Sequence, residues 1–430
     1  MSDGSSPITA ESGVFLSDDS IELSSGLLGG VADWIMDSAI ADMPTDKLLE
    51  GACVRLLAAG LPIARAHMSY RTLHPSIESV SLLWDKGEPV RAMEHMHGAG
   101  SSAIWQRSPF YFMIQNDLVA LRRRLAGPAA LVDFTVLVDL QADGYTDYLA
   151  LMVKFDDGPE VSSGRDNGIV TSWTTRRPDG FVDDDIAALL RVKQRLGVAA
   201  KMAIKNQIAT NVVSTYLGPT AGAQVLSGNI QRGDGQTIHA VIFYSDLRGS
   251  SGLADRLPAS AYISLLNGYF ECAAGAVLDA GGEVLNYIGD GVLAIFPIGD
   301  MSEEEAAEAA LGAAKEARRR LHDVNENLHF MGRDPLEFGV ALHVGDVVFG
   351  NIGSGGRLAF TTIGSAVNEV ARLEALTKTL DAPILMSGEF KSAVKRADPS
   401  VELTGFGFQK MRGIGAPIDV FGINPDELTP

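Results

Sequence analysis

Two apolar runs in the C-terminal half each carry an aspartate at a strand end, and they constrain the fold more than any other feature. AVIFYSDLRGS runs from Ala240 to Ser250 and holds Asp246; VLNYIGDGVLAIF runs from Val284 to Phe296 and holds Asp290 at its tip. Short runs rich in β-branched and aromatic residues read as buried strands. A carboxylate on the tight turn after such a strand is fixed by the strand yet left open. That suits magnesium or manganese, which wants hard oxygen ligands and keeps part of its shell for phosphates. Paired acids in this setting suggest metal-assisted phosphoryl or nucleotidyl chemistry. Taken singly, either aspartate is more often a turn or capping residue.

Composition narrows the partners. The 430 residues leave room for two or three domains, and 46% hydrophobic with 21% charged residues describes a globular chain. A formal net charge of −19 argues against nucleic acid or an anionic bilayer as the main partner, since both need a basic surface. It leaves open a nucleoside triphosphate whose charge is carried by metal ions. Cys53 and Cys272 are too few and too far apart for a disulfide framework or a thiolate metal site. The start MSDGSSPITAESG lacks the basic and apolar parts of a signal peptide. No apolar run reaches the roughly 18 residues of a membrane span. A soluble protein in a reducing cytoplasm is expected.

Along the chain, residues 1–25 read as a disordered tail rich in Ser, Gly and Asp. Residues 26–185 read as a helical N-terminus followed by an α/β domain. The helical pattern extends through KLLEGACVRLLAAGLPIARAHM, ending at Met68. Alternating segments follow at ESVSLLW, at LVDFTVLVDL (Leu131 to Leu140), at YLALMVKF and at GIVTSWTT, with a helix-like SPFYFMIQNDLVALRRRL between the first two. The element order and YLALMVKFDDG resemble a GAF-type sensory domain; the alternative is a structural α/β domain without a ligand. Residues 186–235 read as a connecting helix and linker. Leu189, Val192, Leu196, Ala199 and Ala203 keep three–four spacing there, as a short coiled-coil seam or as a helix packed on its own domain. The turn-rich GPTAGAQVLSGNIQRGDGQT closes this part, and residues 236–424 form the last domain.

Near Ser365 a helical pattern begins in SAVNEVARLEALTK. Ala366, Val370 and Leu373 make an apolar stripe, while Asn368 and Arg372, four apart, share the opposite face. A solvated face is the default for such a pair. An amide and a guanidinium beside RLAFTTIGS also suit a ribose and a phosphate.

With these residues in view, 236–424 is similar to a class III adenylate/guanylate cyclase catalytic domain. The matching motifs are FYSDLRGS, GGEVLNYIGDGVLAIF, FGVALHVGDVVFGNIGS, FTTIGSAVNEVARLE and KMRGIGAPIDVF; five ordered motifs are far more specific than one. The resemblance implies a ferredoxin-like βαββαβ fold within an α/β (α+β) protein. It implies that Asp246 and Asp290 hold two Mg²⁺ or Mn²⁺ ions per site, and that ATP is cyclised to cyclic AMP with release of pyrophosphate. Asn368 then matches the residue that orients ribose, Arg372 the one that stabilises the transferring phosphate, and Arg412 a cation for the terminal phosphates. Because the family divides its site between subunits, a homodimer is implied, with an unidentified regulator acting on the N-terminal domain.

Two departures from the family pattern stand out. Asn286 occupies the usual lysine of the base-selecting pair, and Thr361 is its partner. The Asn286 amide can donate to the adenine ring acceptor while the Thr361 hydroxyl accepts from the amine. After Asp246, Gly249, Ser250 and Ser251 stand where Gly-Phe-Thr is common; backbone amides there can still cradle phosphate. Rival readings are a guanylate or mixed-specificity cyclase, and a catalytically weak nucleotide-binding signalling protein. His95 and His97 lack companion ligands and read as loop or helix-surface residues, His343 as a packed strand residue. The run from Glu303 to Arg320 reads as a solvated amphipathic helix, acids first and bases last.

Overall fold

The structure is a computed structural model that describes residues 25–98, 102–155, 168–299, 301–330, 332–354 and 356–423. Of the expected N-terminal tail, all but Ser25 lies outside these residues. The chain divides into two compact units, Met1–Val212 and Val213–Pro430, and the division falls inside one long helix.

The first unit opens with two helices, α1 (Ser25–Ile40) and α2 (Thr45–Ala58). Three strands follow: β1 (Arg65–Arg71), β2 (Ile77–Asp85) and β3 (Arg91–Met96). Next come α3 (Ala103–Gln106), α4 (Pro109–Gln115), β4 (Ala120–Arg124), α5 (Thr135–Ala142), β5 (Asp147–Lys154) and β6 (Gly168–Thr175). The long helix α6 (Asp183–Leu217) ends the series. The six strands form one sheet, ordered β3-β2-β1-β6-β5-β4, with every neighbouring pair antiparallel.

Each face of this sheet buries its own core. Ala66, Met68 and Tyr70 point from β1 into a cluster with Ile35 of α1, Leu49 and Leu56 of α2, and Leu189, Val192 and Leu196 of α6. The opposite face packs Ala150 and Met152 against Phe110, Met113, Leu137 and Leu140. The α6 stripe is therefore buried within its own unit, the second of the two expected arrangements.

Three sequence expectations are corrected here. The end of the expected helical stretch, Arg65–Met68, is instead the start of strand β1, whose residues alternate in burial. The expected single helix from Ser108 is a short helix and a strand. Ser108 caps α4 by accepting from the Tyr111 N–H at 3.1 Å, the helix stops at Gln115, and Ala120–Arg124 pairs with β5. The alternating run Leu131–Leu140 contains a helix, α5: Leu137 and Leu140, three apart, are buried, while Val136 and Val138 are exposed. Tertiary burial overrode strand propensity in that case.

The second unit runs α7 (Pro219–Leu226), β7 (Gly235–Leu247), α8 (Ser250–Arg256), α9 (Ala259–Asp279), β8 (Glu283–Ile288) and β9 (Gly291–Pro297). It continues through α10 (Glu303–Phe330), β10 (Phe338–Ser354), β11 (Arg357–Ile363), α11 (Ser365–Thr379), β12 (Ile384–Ser387) and α12 (Gly388–Ala397). The hairpin β13 (Thr404–Gln409) and β14 (Ile418–Gly422) ends it. Strand order is β13-β14-β12-β10-β7-β9-β8, with β11 paired to β10. Within it, β7-α9-β8-β9-α10-β10 is the expected ferredoxin-like βαββαβ unit. Val241 and Phe243 face a core built with α9, α10 and α12; Ala240 and Ile242 face the core under α11.

Helix α10 bears out its amphipathic reading. Ala306, Ala310, Ala313 and Ala317 line its buried side. Ser302 and Glu305 form a reciprocal capping box, with Glu305 N–H donating to Ser302 Oγ at 3.2 Å and Ser302 N–H to Glu305 Oε2 at 2.8 Å. Among the described residues no helix is long and apolar enough to cross a membrane.

Candidate active site

Strand register brings the two aspartates together. Asp246, the penultimate residue of β7, pairs with Gly291 of β9 on one side and with Gly339 of β10 on the other. Asp290 directly precedes Gly291, in the turn after Gly289, whose φ of +64° is one that glycine adopts freely. A Cβ on Gly291 would lie 2.9 Å from the Tyr244 hydroxyl, so the hairpin tip approaches β7 closely only because this residue has no side chain. Alternation along β7 places Asp246 on the face that carries α11.

The electrostatics of Asp246 depend on its neighbour Asp290. Burial first, then the Asp290 carboxylate, push the Asp246 carboxyl above its ordinary value, while Lys378 acts in the opposite direction. Burial and the charges of Asp246, Glu374 and Asp290 push the Tyr244 hydroxyl up to about 12. A divalent cation beside the two half-buried acids would offset the repulsion that Asp246 meets from Asp290. Among the described residues no group of three or more His, Cys, Asp or Glu is placed to hold a metal. Two carboxylates without a full protein cage fit Mg²⁺, which keeps water and phosphate oxygens in its shell.

Glu374 and Arg248 belong to the same neighbourhood, and the sequence reading missed both. Glu374 is 4% exposed; burial and Asp246 raise its carboxyl to about 7, and it accepts from Thr377 Oγ1 at 3.3 Å. Arg248 donates to the Thr377 carbonyl at 3.3 Å and pairs with Glu337 at 3.2 Å. The signal for Glu374 was present: it follows Val370 by four residues and so lies in the buried stripe of α11.

The remaining predicted residues fall into three places. Gly249 (φ +72°) occupies the N-cap position of α8, so Ser250 and Ser251 open that helix four and five residues after Asp246. Asn286 of β8 and Thr361 of β11 are joined directly, Asn286 Nδ2 donating to Thr361 Oγ1 at 3.3 Å. This bond uses one of the two amide N–H donors and one hydroxyl lone pair, so each side chain keeps both a donor and an acceptor. Asn368 and Arg372 lie on the exposed face of α11, Asn368 Nδ2 donating to the Gly364 carbonyl at 3.3 Å. Among the described residues neither forms a hydrogen bond or ion pair with Asp246 or Asp290. Arg412 is exposed in the loop between β13 and β14, beside the buried Met411.

No protein-family model matches the chain. A 163-residue stretch, 37% of this chain, is 31% identical to an adenylate cyclase of Anabaena cylindrica, of which it covers 31%. The solved adenylyl cyclase CyaB of P. aeruginosa is 27% identical over 44% of this chain and 95% of its own, with a TM-score of 0.39. A solved guanylyl cyclase is 28% identical over 44% of this chain and 95% of its own, with a TM-score of 0.38. Sequence similarity to the Anabaena cylindrica adenylate cyclase supports a class III adenylate/guanylate cyclase catalytic domain. The chain spans less than a third of the curated relative, and the identity is modest and confined to under half of this chain.

The histidines lie outside the cyclase aspartate pair. His343, 5% exposed, bonds Ser387 Oγ through Nδ1 at 2.9 Å and faces Glu369 at 3.4 Å, which suits a packing role. His95 lies in strand β3, not in a loop or helix, and bonds Ser81 Oγ at 3.0 Å; His97 bonds the His74 carbonyl at 2.8 Å. They share no partner.

Proposed function

We propose that the C-terminal unit is an adenylate cyclase that converts ATP to 3′,5′-cyclic AMP and pyrophosphate as a homodimer. Two Mg²⁺ or Mn²⁺ ions per site are held by Asp246 and Asp290. The register-enforced pairing of these two carboxylates is the observation that carries the reading. Bound divalent ions lower the charge of a triphosphate and stabilise the entering and leaving oxygens.

Every other role belongs to this chain's own groups. Amides in the first turn of α8 lack intrahelical acceptors and are available to phosphate oxygens. Asn368 orients the ribose, Arg372 meets charge developing on the transferring phosphate, and Arg412 meets the terminal phosphates. Among the described residues Asn368 and Arg372 make no hydrogen bond or ion pair with the aspartates of their own chain, which agrees with a site completed by a second copy. So do Val348, Ile352, Leu358 and Ile363, which leave the β10–β11 arm with an apolar surface 39 to 49% exposed. The N-terminal unit is then a sensory, GAF-like domain in a cytoplasmic protein. A regulator bound there acts by favouring one dimer arrangement over another.

One observation favours a second reading, a guanylate or mixed-specificity cyclase. The Asn286 amide and the Thr361 hydroxyl can each donate and accept, so together they can meet the N6–H and N1 of adenine, and equally the N1–H and O6 of guanine. The names of the adenylate cyclase relatives favour ATP. Purified protein assayed with ATP and with GTP, under Mn²⁺ and under Mg²⁺, decides between them. Cyclic AMP as the main product is expected; cyclic GMP alone overturns the substrate assignment, and no turnover of either nucleotide by a confirmed dimer overturns the enzyme.

A further inference from the structure

The ends of four strands in the first unit crowd charged side chains around an open cleft of about 470 Å³. Its lining includes Pro62, Ile63, Asp85, Lys86, Tyr145 and Arg176. That volume lies within the range of small-ligand pockets. In a chain of net charge −19, a cleft with more unpaired cations than unpaired acids is unexpected, and the ion pairs show how it arises.

Most charges at this end of the sheet are already matched. Arg91 pairs with Asp85 at 2.6 Å, and Arg122 pairs with Asp147 at 2.7 Å, with Arg124 at 3.8 Å from the same carboxylate. Arg177 is held by Asp185 and by the Gly180 carbonyl. Two cations in the cleft stay unmatched. Lys86 is exposed and its ammonium has no ion-pair partner among the described residues. The Arg176 guanidinium lies 4.5 Å from the centre of the Tyr145 ring and also lacks an acid. Tyr145 is itself fixed: it is 5% exposed, and its hydroxyl donates to Asp85 at 3.3 Å. An aromatic face that holds a guanidinium leaves the N–H edges free for an oxyanion, and Arg presents them as a planar fork. The strand register adds a third cation nearby, Arg65, directly opposite Asp85 and Thr174. Pro62 supplies an apolar wall.

From this arrangement we infer that the cleft is a binding site for a small oxyanion, a carboxylate- or phosphate-bearing molecule whose charged group sits between Lys86 and Arg176. Glu88, the unpaired acid of the lining, disfavours a highly charged polyanion. A mono- or dianion with a compact apolar body is the fitting class, and a nucleoside triphosphate is not. The site stands whether or not the second unit is a cyclase. Only its role as a regulatory site rests on that reading.

All four tryptophans, Trp34, Trp84, Trp105 and Trp173, belong to the first unit, so their fluorescence during thermal unfolding reports this unit alone. The full chain is melted with inorganic phosphate, with succinate and with chloride at matched ionic strength, and the two test anions separate the phosphate from the carboxylate source. A saturable rise of about 5 °C with one of them over chloride is expected in the wild type. It is lost in the Lys86→Gln/Arg176→Gln double variant. Should that variant melt early in chloride, Lys86→Gln alone carries the test, because Lys86 is exposed and supports no other residue through its ammonium. Absence of an anion-specific rise, or an equal rise in wild type and variant, overturns the proposal. Turnover of the double variant without either anion is expected to match wild type. Asp246→Ala, in contrast, removes turnover and keeps the fluorescence rise, so the two readings fail independently.

Discussion

At Asn286 an uncharged amide stands where the resemblance leads one to expect an ammonium, and it is hydrogen-bonded to Thr361. A neutral pair that serves either purine discriminates weakly. Asn286→Lys replaces it with a charged donor, worth about 1 to 1.5 kcal/mol more than a neutral one. The ratio of kcat/KM for ATP over GTP should rise roughly tenfold; an unchanged ratio removes Asn286 from base selection. A second single-residue effect concerns acid. Burial, then Arg65 and His95, lower the His67 imidazole from 6.5 to about 4, and its ring stacks on Phe110 at 5.3 Å. The lowered group contributes stability that is complete above 6.5. That stability is lost as pH falls toward about 4, because the unfolded chain takes up a proton the folded imidazole refuses. Tryptophan-monitored unfolding should show this loss between those two values, and His67→Phe should flatten it. Glu374 shows why such residues are hard to read in advance. Its place in the α11 stripe was visible, but an acid in a stripe is ordinarily a solvated edge, and only the packed neighbourhood shows it to be buried beside Asp246.

Elements carry the site through their spacing. A Cβ on Gly339 would lie 2.3 Å from Thr377 Oγ1 and 2.4 Å from Glu374 Oε1, so α11 rests on β10 with no room for one more carbon. Thr377 is fully buried and β-branched, and therefore stiff. Gly339→Ala should cost roughly 1 to 3 kcal/mol in unfolding free energy of the second unit. Because α11 carries Asn368 and Arg372, kcat should fall as well. A variant with unchanged stability and rate shows that α11 shifts freely. The element order of the second unit, β7 through β14, was legible because its strands are continuous apolar runs and its helices are long and periodic. The first unit was less so. In α5, Val136 and Val138 suggested a strand, and the choice turned on Leu137 and Leu140 meeting the second core, a contact between residues distant in sequence.

At the scale of the whole molecule, the arrangement of one chain predicts the behaviour of two. Asp246 and Asp290 sit together, while Asn368 and Arg372 point outward on α11 without reaching them. Asp246→Ala and Arg372→Ala should each abolish turnover alone. Mixed, they should regain up to one working site per heterodimer, measured as cyclic nucleotide formed. Activity in either pure variant, or none in the mixture, removes the shared site. The amino-acid sequence determined the strand-end aspartates, the helix faces and the order of elements, since each follows from periodicity and turn chemistry within some twenty residues. The tertiary structure alone decided which strands are neighbours, and so that Asp246 meets Asp290, that Asn286 bonds Thr361 across 75 residues, and that Lys86 and Arg176 are left without acids. Pairings of that kind depend on register and on which charges are already matched, and neither is a property of a local stretch of chain.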